Sequence, residues 1–165
     1  VDRLLVARPT AVEVLWHLHP ELERVEVTGA GTLPISRPHA SSTGGPYWLS
    51  PAGTLEDWEI ETVRGVEEPE PQGWYSPDYN VRLPSTAILC KQRIRGPLVA
   101  GWWFGVGQNR PALDYRQSGD EHFFTLKSAG NADEGESRTI RLNLKALSTA
   151  LDDEDQPVAG AVRVY

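Results

Sequence analysis

Apolar side chains return at every second position over much of this chain, a period that fits strands and not helices. Between Val12 and His19, the residues Val12, Val14, Trp16 and Leu18 share one side, leaving Glu13, Leu15, His17 and His19 on the other. Within 55–63, Trp58 and Ile60 alternate with Asp57, Glu59 and Glu61, and within 86–95 Ile88 and Cys90 alternate with Leu89, Lys91, Arg93 and Arg95. From Pro97 onward, Leu98, Ala100, Trp102, Phe104 and Val106 form one face, and the period recurs in 122–127, 140–144 and 158–164. Clusters at Gly29–Gly31, Ser41–Pro46, Ser50–Gly53, Glu67–Gly73, Gly107–Pro111, Ser118-Gly119 and Asn131–Gly135 read as the turns between these runs. Strands this short and this evenly spaced predict an all-β fold, an antiparallel β-sandwich of roughly ten short strands. Leu144, Leu147 and Leu151 recur at helical spacing, so the chain has room for at most one short helix. Asp152 and Asp153 oppose the dipole at its C-terminal end.

A length of 165 residues suits one domain spanning the whole chain. With 39% hydrophobic and 24% charged residues the composition is that of a globular domain, and a formal charge of −7 argues against nucleic acid as a partner. No apolar run approaches the length of a membrane-spanning helix, so no membrane partner is expected. Cys90 is the sole cysteine, which excludes an intrachain disulfide, and its place in an apolar strand predicts a buried, unreactive thiol. There is no methionine anywhere, position 1 included, from which we expect a piece of a longer protein.

Candidate binding residues fall into three groups. Residues 72–84 hold Trp74, Tyr75 and Tyr79 among Gly73, Pro77 and Pro84, a composition that excludes a helix interior or a central strand. Aromatics in such a loop are either packed into a corner or part of a binding surface. Trp103 is flanked on its own face by Gly101 and Gly105. The glycines clear floor space beside the indole, either for a flat ligand such as a sugar ring or for another sheet. Lys91, Arg93 and Arg95 follow one strand face, and with Arg82 would form a stripe attracting carboxylates or sulfates, unless that face merely protects a strand edge. His17 and His19, two residues apart on one strand, are an incomplete start to a zinc site. A hydrogen-bonded polar face is the plainer reading of the pair. No nucleophile elbow, phosphate-cradling loop or His-Glu-x-x-His stands in the chain, so no catalytic residue, metal ligand or cofactor is assigned.

The segment Gly73-Trp74-Tyr75-Ser76-Pro77-Asp78-Tyr79-Asn80-Val81-Arg82-Leu83-Pro84 resembles a C-terminal pattern of the heparinase II/III-like polysaccharide lyases. That pattern is Gly-Trp-x-Ser-x-x-Tyr-Gly with a following Pro, leading into a hydrophobic strand, here Thr86–Cys90. Asn80 stands at the last glycine of the pattern, a mild departure because Asn tolerates positive φ. Upstream, Asp2-Arg3-Leu4 and the strand ending Trp16-His17-Leu18-His19-Pro20 are similar to the family's strand with a terminal His-Leu-x-Pro. The matches span roughly the first hundred residues, in the family's order. The resemblance implies the C-terminal β-sandwich portion of a lyase whose upstream α/α toroid, completed by the remainder of the sandwich, cleaves uronic-acid-containing polysaccharide by β-elimination. The family's catalytic Asn, His and Tyr lie mainly in the toroid and its metal ligands before the region matched, so this segment alone is expected to be non-catalytic. It would support the toroid and line a wall of the substrate cleft, with an acidic polysaccharide as partner, outside the cytoplasm or in the periplasm. The alternative from another functional class is a stand-alone carbohydrate-binding module that uses Trp103, Trp74 and Tyr75 as stacking platforms.

Overall fold

The computed structural model describes residues 1–27, 31–37, 45–54, 57–127 and 137–143. Among them are thirteen strands and no helix, an all-β fold as the period predicts. The helical spacing at 144–151 and the alternation at 158–164 lie outside the described residues, as does His39.

Two antiparallel sheets make the sandwich. The first has the order β1 (Asp2–Leu4), β10 (Leu98–Val106), β5 (Tyr47–Gly53), β4 (Leu33–Ser36) and β3 (Arg24–Val25). The second has β9 (Thr86–Ile94) between β2 (Thr10–His17) and β6 (Glu59–Arg64). The alternating residues meet between them: Leu33, Ile35 and Leu49 from the first sheet and Ile88 and Cys90 from the second are fully buried, with Trp58, Leu98 and Ala100 beside them. Each large aliphatic side chain removed from water here contributes about 1.5–3 kcal/mol. Burial also pushes the Cys90 thiol up to about 11, so at neutral pH it is a small hydrophobe and not a thiolate.

One turn expectation is overturned. Ser50–Gly53 is the second half of β5, paired in register from Ser50↔Trp103 to Gly53↔Ala100. The Pro and Gly that suggest a turn are both accommodated by the pairing. The pairing of β4 with β5 stops at Leu33↔Leu49, so beyond it a proline loses no ladder bond on the open side. Gly53 is needed because a Cβ there would lie 2.1 Å from the carbonyl oxygen of Val99.

A third sheet lies on the other face of the first. Its order is β11 (Ala112–Ser118), β12 (Glu121–Lys127) and β13 (Ser137–Asn143), and the β11–β12 hairpin turns through Gly119 at φ +60°. Phe124, only 3% exposed, packs with Val99, Ala52, Leu113 and Tyr115. Its ring occupies the space over Gly101, where a Cβ would come within 2.3 Å of Cε1. The sandwich is therefore built on by a further layer whose contact rests on an aromatic ring seated over a glycine.

On the inner face of this layer Tyr115 and His122 share a hydrogen bond of 2.7 Å between the phenol and Nδ1. Burial lowers the imidazole pKa from the ordinary 6.5, the charge of Arg3 lowers it further, and Asp120 opposes them. The unfolded chain binds a proton at His122 near that ordinary value while the folded chain resists, so protons favour the unfolded state. Folding stability is then expected to fall as the pH drops from about 7 to about 5. In urea titrations at several pH values, His122→Gln should flatten that slope; an unchanged slope would remove His122 as its source.

Candidate functional site

Residues 72–84 form a closed corner between β6 and β9. β7 (Trp74–Tyr75) pairs with β8 (Leu83–Pro84), Trp74 opposite Pro84 and Tyr75 opposite Leu83. The Gly73 carbonyl accepts from the amides of Gly65 at 2.9 Å and Ser85 at 2.8 Å, and Val66 and Gln72 exchange both backbone bonds. The tip is a turn in which the Ser76 hydroxyl donates to the Asp78 carbonyl, the Tyr79 amide donates to Asp78 Oδ1, and Asn80 takes φ 59°. The positive φ falls at the position where the lyase pattern has glycine.

The three aromatics divide by role. Trp74 is half-buried and donates from Nε1 to the Val66 carbonyl at 2.9 Å. The Arg82 guanidinium lies 4.1 Å from its ring centroid and also pairs with Glu67 at 2.7 Å, so both residues hold the corner together. Tyr75 and Tyr79 face solvent, Tyr79 at 88% exposure, and the His19 ring stands 5.4 Å from that of Tyr75. Trp74→Ala is accordingly expected to cost about 2–3 kcal/mol by removing packing and orphaning a carbonyl. Tyr79→Ala should stay within about 0.5 kcal/mol. Denaturant unfolding of the two variants checks the contrast, and equal losses would mean the corner is not held by its indole.

A groove of about 530 Å³ runs beside the corner between Pro20, Arg37, Arg64, Leu83 and Pro84. Its cations are paired, Arg37 with Glu21 at 3.3 Å and Arg64 with Glu23 at 2.8 Å. Arg64 also donates to the Thr86 hydroxyl and the Pro20 carbonyl. Sequence reading did not single out Arg64, because partners 22 and 41 positions away leave no local signal.

The remaining candidates stand apart from this corner. Lys91 sits in a cross-strand row between Glu13 and Glu59 and bonds Glu61 at 2.6 Å. That hydrogen bond raises its pKa, and the nearby carboxylates add to the rise. Arg93 and Arg95 are exposed farther along the strand. The positive stripe is thus interleaved with carboxylates on its neighbouring strands. Trp103 is half-buried and its own indole lies over Gly105, where a Cβ would come within 2.4 Å of Cζ2. With Phe124 over Gly101, both glycine spaces beside Trp103 are filled from within the chain. His17 and His19 are exposed, His19 Nδ1 accepting from the Glu21 amide at 3.4 Å. Among the described residues no three His, Cys, Asp or Glu side chains gather as a metal site.

The corner can present two tyrosines, an imidazole and a small apolar rim to a partner without rearranging its own bonds. No protein-family model matches the chain, and neither a curated protein nor a solved structure does.

Proposed function

We propose that this chain is the C-terminal β-sandwich portion of a heparinase II/III-like polysaccharide lyase. It buttresses the catalytic toroid and lends the corner at 72–84 to a wall of the substrate cleft. One observation carries the reading: two segments that resemble the family, Trp16–Pro20 and Gly73–Pro84, distant in sequence, adjoin in the fold. β2 runs beside β9 with His17 opposite Ala87, the Leu18 amide donates to the Thr86 carbonyl at 2.9 Å, and the His19 ring meets Tyr75.

On this reading the chain supplies binding surface and support, while proton abstraction and leaving-group protonation belong to residues of the toroid. The open reading frame that encodes Val1 decides it. A helical domain of several hundred residues preceding the sandwich is the expected result, and a frame without one sinks the proposal. The purified chain alone should release no unsaturated uronate from acidic polysaccharide; release would equally count against it.

A further inference from the structure

Along one side β10 pairs with β5 from Ala100 to Val106, but along the other β1 reaches only Leu98–Ala100. Among the described residues no strand pairs with Gly101–Val106 on that second side. The backbone groups of Val99 and Gly107 bond to Thr54 and Pro46 on the β5 side. Alternation along an antiparallel strand then turns the N–H and C=O groups of Trp102, Phe104 and Val106 to the open side. Natural edges are ordinarily blunted by charge, proline or a bulge. This one reads Gly-Trp-Trp-Phe-Gly-Val, with no charge and no proline.

The side chains at this edge are also short of cover. Trp102 and Phe104 lie on the sandwich face of β10, where the Trp16 ring meets both, at 6.0 and 6.4 Å, and Tyr47 stacks on Phe104 at 5.8 Å. Phe104 is nonetheless 41% exposed and Val106 57%. The indole Nε1 atoms of Trp16 and Trp102 are buried without an acceptor, although buried donors are nearly always paired. One further strand would bring a ladder for the open backbone groups, alternate side chains over Phe104 and Val106, and additional acceptors at this end of the sandwich.

The direction of β1 says which strand. It runs antiparallel to β10 in the register Asp2↔Ala100 and Leu4↔Leu98, so each step back along β1 is a step forward along β10. Val1 falls opposite Gly101, and the five residues before it opposite Trp102–Val106. A second copy of the chain would have to begin a new pairing, whereas this segment prolongs one that exists. We propose that the open edge of β10 is completed by the residues that precede Val1 in the longer protein, which extend β1 in register and place apolar side chains at the first, third and fifth positions before Val1. The inference rests on the reading of the chain as a piece of a longer protein. The lyase assignment stands or falls separately, on a helical domain further upstream.

The test compares amide exchange by NMR in the 165-residue chain and in the same chain preceded by about eight residues of its own reading frame, enough to pass Val106 at about 3.3 Å each. With the extension, exchange at the Trp102, Phe104 and Val106 amides should slow by about tenfold or more. The Trp103 and Gly105 amides, which face β5, should stay within about threefold. Four results would each overturn the proposal. They are equal exchange in the two chains, slow exchange at these amides already in the shorter chain (an edge filled by its own residues), protection that rises with the concentration of the shorter chain (a second copy), and charged residues at the three upstream positions.

Discussion

Phe124→Ala is expected to cost about 3–5 kcal/mol, the range for removing a buried aromatic ring. The residue is 3% exposed and central to the contact between the third sheet and the sandwich, with Val99 beneath it and Tyr115 at a ring distance of 5.2 Å. The loss should be unevenly distributed. The sandwich core of Leu33, Ile35, Leu49 and Ile88 does not include Phe124, so amide exchange should accelerate most in β11–β13 and least in β9. Gly101→Ala tests the same contact from the other side, since its methyl would overlap the ring. Made together, the two substitutions should cost less than their sum by about 1 kcal/mol or more, because the alanine enters space the ring has vacated. Additive losses, or exchange that accelerates equally in all three sheets, would show that the third layer does not hang on this ring.

That contact also marks where sequence reading stops. The strands β2, β9, β10 and β12 were legible because one buried face imposes a period of two, and Val12, Val14, Ile88, Cys90, Leu98 and Ala100 obey it. The glycines around Trp103 were legible as cleared space, but not what fills it. Phe124 is 23 positions from Gly101, and no spacing rule links a hairpin to the sheet it covers. Arg82 shows the same limit at shorter range. Read along the chain it extends a stripe with Lys91 and Arg93, whereas the turn at Asn80 brings it over Trp74 and onto Glu67. Ser50–Gly53 failed differently: Pro51 and Gly53 carry turn composition, and tertiary pairing with β10 overrode it.

The corner at 72–84 meets a sharper test in Gly73→Ala. At φ +74° an L-residue costs about 1–2 kcal/mol by itself. The added methyl would also stand 2.8 Å from Arg64 Cα, 2.8 Å from the Ser85 carbonyl oxygen and 2.9 Å from the Gly65 nitrogen. All three are backbone atoms, so relief requires β6 and the start of β9 to move apart, adding about 1–3 kcal/mol as overpacking does. The same displacement would lengthen the two bonds that the Gly73 carbonyl accepts from Gly65 and Ser85. A total loss of about 3 kcal/mol is therefore expected in urea unfolding. Gly119→Ala is the control, because its φ of +60° carries a comparable conformational cost but nothing lies within 4 Å of the new methyl. It should lose only about 1–2 kcal/mol. If the two variants lose equal stability, the close approach at Gly73 is not what fixes the corner, and the placement of Tyr75 and Tyr79 for a partner would have to be held by Trp74 and Arg82 alone.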